Sequence, residues 1–585
     1  MHARRLTGRD EGRINEMRRF LPVLLLILIP VVFSGCADLA SLLPTPEPQG
    51  PMSAYVTPTP EPRFPEQMPT AARILERGEM VVGVRYDLEP FSYITEDSEL
   101  AGLEIDLARE LARRWLGDAD AVRFRQVRSD SAYQHLDEGT VDFVLAGVTH
   151  TQEDEARADF SPPYFVNGLA LLTFPETGIQ SAGDLAQRRV GVVGWTGTRQ
   201  ELSAATDVIT DFVTYDNFFD AVEGLRTRQV NAYADSRHRL ERARRMVAGT
   251  AIVGQMTQEP VALVYRQNDP FFANLVAFTF QDLARDGTRD TLYARWLPGT
   301  SPPAIGFVPD NTPTPALSMA PTQLATLDVI GRIRARGTVA VGYFTDRWPY
   351  SADRADGVPT GFEVRLFERV VERWLGSRQA ITFVPVTAAD GFDKLARGEV
   401  DVLMGGWYHT RAAELQADFS IPILDDGVSL FSRAAAPIRD FEALAGQRVG
   451  IVSGSSAEAV LQERSQALGI GISPVTYPNV EAALAGLNGG EITAILGERR
   501  ALLDILFRQP GYTITTTRFN TRPVAYVLPQ GDSAYRDMVN LTLMTLYRNG
   551  TYRELYDLWF DEPTPALTVL PGNPALPLVI EGVGE

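Results

Sequence analysis

The chain has 585 residues, 45% of them hydrophobic, and a formal net charge of −19. That length suits several domains, and the negative balance argues against a nucleic-acid partner, with no basic run or aromatic-plus-basic stripe to counter it. A single Cys excludes a disulfide framework or a cysteine zinc cluster, and no spacing calls for a metal or a cofactor.

Met17-Arg18-Arg19 supplies a positive start, Phe20 to Phe33 is apolar throughout, and Ser34-Gly35 stands just before Cys36. An apolar run of about 14 residues is too short for a spanning helix, so residues 1–36 read as a signal peptide. The small residues before the thiol resemble a bacterial lipoprotein signal, although Phe33 replaces the usual Leu. That resemblance implies cleavage before Cys36, lipid on its sulfur, and an extracytoplasmic chain held to the membrane by its anchor. A plain secretory signal with an incidental Cys is the alternative. Residues 37–69 are Pro-rich, with Thr-Pro-Glu-Pro at 45–48 and 59–62, and read as a semi-rigid spacer.

A first folded segment, residues 70–300, opens with a helix ending at Gly78 and the strand Met80 to Val84. An amphipathic helix starts at Gly102, a strand lies near Val122 to Val127, and Asp142 to Leu145 reads as a short buried strand. A polar turn through His150-Thr151 follows, and the chain leaves by Asp159-Phe160-Ser161-Pro162-Pro163-Tyr164. After a Pro-rich break at 301–322, residues 323–562 repeat the order, and residues 563–585 form a third Pro-rich stretch. The repeat has a constant displacement, since 401 − 142 and 418 − 159 both equal 259. Near the end Asp286-Gly287-Thr288 matches Asn549-Gly550-Thr551, and 549 − 286 is 263, so copy two has four extra residues in its middle third. Such a period is far too long for a solenoid and predicts a duplicated domain. Alternating strands and helices predict an α/β fold with a mainly parallel sheet covered on both faces.

Taken together, Pro90-Phe91-Ser92-Tyr93, Gly102-Leu103-Glu104-Ile105-Asp106, Gly139-Thr140-Val141-Asp142, Asp159-Phe160-Ser161-Pro162-Pro163-Tyr164 and the closing Asp286-Gly287-Thr288 with Trp296 resemble the extracellular solute-binding proteins of family 3. These are periplasmic amino-acid receptors of ABC importers. The resemblance covers nearly all of both copies. It implies two tandem periplasmic-binding-protein domains of type II, each of two α/β lobes. The crossing strands are expected near Ala170 to Phe174 and Val261 to Tyr265, and near Ser429 to Phe431 and Val524 to Val527. A small-molecule ligand between the lobes, closure by a hinge, and an ABC permease or membrane sensor as partner follow from the same resemblance.

Carried over residue by residue, the family's ligand contacts are only partly present. The Arg that clamps a ligand carboxylate is replaced by Asp154 and Ala413. The stacking aromatic is Leu88 in copy one and Arg347 in copy two, and a second stacking position is Ser129 and Ala389. A hydroxyl survives as Thr149 and Tyr408, and the anion-accepting turn as Trp195-Thr196 and Ser455-Ser456. The lobe-two acid falls on Glu498, and on Asp235 if copy one has lost one residue. The expected ligand contacts are therefore Arg85, Phe91, Thr149, Trp195, Thr196 and Asp235, and in copy two Arg347, Trp348, Tyr350, Trp407, Tyr408, Ser455, Ser456 and Glu498. Copy one is expected to differ from copy two in specificity. In copy two a ligand carboxylate on Arg347 and an ammonium on Glu498 would bridge the lobes, with a direct Arg347 to Glu498 ion pair as the competing arrangement.

Plainer roles are open for several residues. Asp159 and Asp418 suit turns, His150 and His409 suit hydrogen-bonded core positions, and Trp115, Trp296, Trp374 and Trp559 suit core packing at helix ends. Three functions compete: a solute receptor, a dehydratase-like enzyme on the same fold, and a degenerate interaction module. The cleft acids have no base at readable spacing, so the sequence favours a protein that is not an enzyme.

Overall fold

In a computed structural model the described residues are 68–128, 131–194, 196–208, 210–305, 312–324, 327–560, 562–572 and 578–582. The leader with Cys36, the spacer up to residue 67, Ser129 and Trp195 lie outside them. No helix among the described residues is long and apolar enough to cross a membrane.

Among the described residues four five-stranded sheets carry the architecture, two in each copy. In copy one the first runs Val122–Gln126, Met80–Val84, Phe143–Leu145, Val264–Tyr265, Asp159–Phe160. Its first three strands are parallel, and Val264–Tyr265 returns antiparallel to them. The second runs Asp211–Tyr215, Arg189–Val193, Ala232–Ser236, Leu169–Thr173, Ala251–Val253. Copy two repeats both orders, around Val339–Tyr343 and around Arg448–Val452. Central strands such as Met80–Val84 are buried on both faces, as their unbroken apolar runs require. Each copy therefore folds as two α/β lobes, as the resemblance implied.

Between the lobes run two short antiparallel ribbons, Phe165–Asn167 with Glu259–Val261 and Leu424–Asp425 with Pro523–Val524. The crossing strands were expected several residues later, at Ala170 to Phe174 and Ser429 to Phe431. Those residues instead belong to the lobe-two sheets, paired with 232–235 and 495–497. Likewise Val264–Tyr265 and Val527–Leu528 already lie in lobe one. Gly168 marks the true break, at φ 131, where a Cβ would lie 2.2 Å from the carbonyl oxygen of Thr257.

The extra residues of copy two sit in its second lobe. Val193 pairs with Tyr215 and Val452 with Tyr477, so the offset has risen to 262 (477 − 215) by the second strand. The intervening helix is Thr198–Ala205 in copy one and the longer Ser456–Leu468 in copy two. The same register pairs Ser236 with Leu169 and Glu498 with Val428. Ser236, not Asp235, is thus the counterpart of Glu498, and His238 that of Arg500.

The two copies are joined by equivalent faces. The helix Pro270–Arg285 of copy one receives Arg411 and the turn around Glu414 from copy two, while Ser533–Arg548 of copy two packs on the short turn Asp154–Ala156 of copy one. Asp159 accepts the Arg536 guanidinium at 2.7 Å and the Ser533 hydroxyl at 3.0 Å. Its role is thus to bind the other copy rather than to make a local turn. His150 stacks on Phe160 and meets Glu155 at 2.5 Å, and His409 stacks on Phe419 beside Glu414, so both histidines are hydrogen-bonded packing residues. The Pro-rich segments are docked as well. Ile305 and Leu317 enter the copy-one core, Leu570 and Ile580 that of copy two, and Gln152 donates to Leu570 O at 2.7 Å.

Candidate functional sites between the lobes

Each copy has a cavity at the carboxyl ends of its central strands, where open α/β sheets place ligands. In copy two it holds about 320 Å³ and is lined by Arg347, Gly406, Trp407, Tyr408, Glu498 and Arg500. Its floor is the Gly405-Gly406 turn after the strand Val402–Met404, with φ of 110° and 78°. A Cβ on Gly405 would sit 2.5 Å from Ser351 Oγ, and one on Gly406 2.8 Å from Tyr350 Cδ2, so both positions need glycine. Their N–H groups donate to the two oxygens of Glu363, each at 2.7 Å, and burial pushes that carboxyl up to about 7.

Asp426, just past the hinge ribbon, ties the lobes together. The Tyr350 and Tyr408 hydroxyls from lobe one donate to it at 2.8 and 2.6 Å, and the Arg500 N–H from lobe two at 2.9 Å. The side chain is fully buried, which pushes its carboxyl upward in pKa. Sequence reasoning missed Asp426, Arg500 and Arg522. Asp425-Asp426 adjoining a strand was the one visible signal for the first.

Arg347 lies flat over Phe344, 3.3 Å from the ring centre, and reaches the carbonyls of Gly405 and Gly406 at 3.3 and 3.4 Å. Burial lowers its pKa first and the neighbouring charge of Arg500 second. Glu498 does not meet Arg347. It is held by Arg522 at 2.5 Å, itself stacked on Tyr408, and accepts the Ser456 hydroxyl at 3.4 Å. The expected Arg347 and Glu498 do line one cavity, but neither the free acid nor the direct ion pair is formed. Trp407, 8% exposed, is wedged between Phe344 and Phe392 with one edge on the cavity.

Other expected contacts fall elsewhere. Phe91 is a core residue, 2% exposed and edge-on to Phe165 at 4.8 Å. Tyr350 is buried behind the turn with only its hydroxyl committed, to Asp426. Trp348 packs on Trp559 and Phe507. Ser455 turns its hydroxyl to Val452 O at 2.7 Å, and Thr149 makes a backbone bridge with Val261 at the hinge. Asp154 is bonded to Thr151 at 2.7 Å and lines neither cavity.

The copy-one cavity is larger, about 650 Å³, and brings Arg85, Thr196 and Asp235 together with Leu88, His238 and Glu259. Its charges are largely self-paired: Arg85 with Asp87 at 2.9 Å, Arg239 with Asp235 at 3.5 Å, Arg242 with Glu89 at 3.1 Å. The Tyr233 hydroxyl also donates to Asp235. Burial holds His238 neutral, with its pKa lowered to about 4. At the two positions where copy two carries Arg347 and Arg500, copy one thus has Leu88 and a neutral His238.

Known proteins resemble the chain in sequence. The chain is 30% identical over 166 residues to a glutamine-binding protein of Geobacillus stearothermophilus, covering 28% of this chain and 63% of that one. It is 25% identical over 232 residues to the glutamine-binding protein of a Bacillus subtilis ABC transporter, covering 39% and 84%. Among solved structures, a polar amino-acid ABC uptake transporter substrate-binding protein from Streptococcus thermophilus is 21% identical at TM-score 0.37, covering 40% of this chain and 92% of that one. The profile of the bacterial extracellular solute-binding proteins, family 3, matches twice, at residues 80–299 and 339–562, and the chain belongs to that family as a tandem member.

Proposed function

We propose that the chain is an extracytoplasmic solute receptor, tethered to the membrane through Cys36, that captures an amino acid or related carboxylate for an ABC permease or a membrane sensor. The observation that carries this reading is the copy-two cleft, where lobe one supplies Arg347, Trp407 and Tyr408, lobe two supplies Glu498 and Arg500, and Asp426 joins both at the hinge. A ligand held from both sides favours the closed form by its extra contacts there. The names of the two relatives, both glutamine-binding proteins, point to the same class of solute.

Thermal denaturation of the full chain against amino acids and small carboxylates tests this directly. A true ligand at about 100 times its Kd adds about 2.7 kcal/mol of stability. No shift with any of them would leave a non-binding module as the better reading. The tether has its own test. Cys36→Ser is expected to move the chain from the membrane fraction to the soluble extracytoplasmic fraction, and retention in the membrane would remove the lipid anchor from the proposal.

A further inference from the structure

We infer that the copy-two cleft selects a solute with a second carboxylate, an acidic amino acid or a dicarboxylate, and that copy one does not share this preference. This rests on the solute-binding reading above and adds the charge class of the ligand. Two guanidinium groups face one cavity from opposite lobes, Arg347 from the hairpin Asp346–Arg347 and Arg500 from the first turn of the helix Arg499–Arg508. Gly406 lies between them. Its carbonyl is 3.4 Å from Arg347, and a Cβ built on it would be 3.9 Å from Arg500 Cδ.

Neither guanidinium forms an ion pair among the described residues. The nearby carboxylates are engaged elsewhere than with a guanidinium of this pair: Glu498 by Arg522, Asp426 by two tyrosine hydroxyls and the backbone N–H of Arg500, Glu363 by two backbone N–H groups. Asp346, beside Arg347, is exposed to solvent. Partly buried and each without a direct ion pair, the two cations repel each other across the cleft. The charges of Asp426 near Arg500 and Glu363 near Arg347 soften that repulsion, and what remains opposes closure. One carboxylate neutralises one guanidinium and leaves the other without a counter-charge. A ligand with a carboxylate at each end gives each guanidinium a planar partner and ties the lobes together. A neutral amide at the second position would leave one guanidinium desolvated without a counter-charge. Copy one supplies the contrast within the same molecule, since Leu88 and neutral His238 stand at these two positions and its other arginines are already paired.

Calorimetric titration of the full chain with L-glutamate, L-aspartate and succinate, each against L-glutamine, tests the inference. At least one acid is expected to bind 10-fold or more tighter than glutamine. Arg500→Met and Arg347→Met are each expected to weaken that acid 10-fold or more, with circular dichroism confirming the fold. Arg500→Lys is expected to restore part of the loss, because it returns the charge without the fork. Glutamine binding as tightly as every acid, or acid binding unmoved in both Met variants, overturns the charge preference and leaves the solute-receptor reading intact. Failure of the acids and of every other amino acid to bind overturns both.

Discussion

Replacing Arg411 by Met is expected to cost roughly 3–5 kcal/mol of stability and to loosen the join between the two domains. Arg411 leaves the first turn of the helix Arg411–Glu414 in copy two and crosses into copy one, where it is 2% exposed. There it donates to Phe278 O at 2.7 Å, Asp282 at 2.9 Å, Thr312 O at 3.0 Å and Gln281 at 3.2 Å, with its guanidinium 4.5 Å from the Phe278 ring. Methionine fills similar space, so the packing of the stem is kept while the charge and its donors are lost. Phe278 O, Thr312 O and Gln281 then lose their donor around a nearly inaccessible side chain, while Asp282, 31% exposed, keeps the Thr314 hydroxyl and Arg285. Urea denaturation should show the drop. Hydrogen exchange should speed up in Pro270–Arg285 and Arg411–Glu414, with the lobe-two sheets unchanged. A midpoint shift worth less than about 0.5 kcal/mol would show that the domains do not depend on this crossing.

Much of this architecture was legible because it is local or periodic. The offset of 259 located both copies, and apolar runs bounded by turns located the central strands. The hinge was misplaced because Phe165-Val166 and Leu169 to Leu172 read as one apolar stretch, broken only by Asn167-Gly168, which divide ribbon from sheet. The same glycine was visible in the sequence and would have moved the boundary. Register shows why Asp235 seemed one residue out of step: it is, and Ser236 takes the matching place.

The site was less legible because charge pairing depends on segments far apart in sequence. Glu498 is claimed by Arg522 from the strand side of the hinge, and nothing near either residue announces it. Phe91 sits in a motif that adjoins the cleft, yet its ring turns into the core against Phe165. Arg411 stands one residue after Thr410 in the turn where the family places its ligand clamp nearby. Here its charge serves the partner domain instead. The same turn in copy one, with Asp154 and Glu155, packs against the helix Ser533–Arg548 of copy two as well. The turns in which the resemblance placed a ligand clamp thus meet the other copy in this chain.

Arg536→Met should destabilise the protein by roughly 3–5 kcal/mol at pH 8 and by clearly less at pH 5. Arg536 pairs with Asp159 at 2.7 Å and Asp537 at 3.0 Å, both carboxylates being nearly inaccessible, and its charge also acts on Asp418 and Glu155. Burial pushes Asp418 and Glu155 up to about 7, and Asp537 upward too, while Arg536 pulls all three down. These are acids whose pKa is raised in the fold, so the folded chain keeps their protons at pH values where the unfolded chain has lost them. Their contribution is complete below about pH 4 and is lost as pH rises through about 7. Without Arg536 the native state must keep several carboxylates uncompensated at pH 8. At pH 5 they are protonated, and less is missing. His150 works the other way, since burial lowers it to about 3 and stability falls as pH drops below about 6.5. Arg536 adds to that depression, so its removal relieves part of it and makes the loss at pH 5 smaller still. Urea denaturation of both proteins at pH 5 and pH 8 reads the difference directly. An equal loss at the two pH values would mean that Arg536 holds the interface by packing, with its charge contributing nothing.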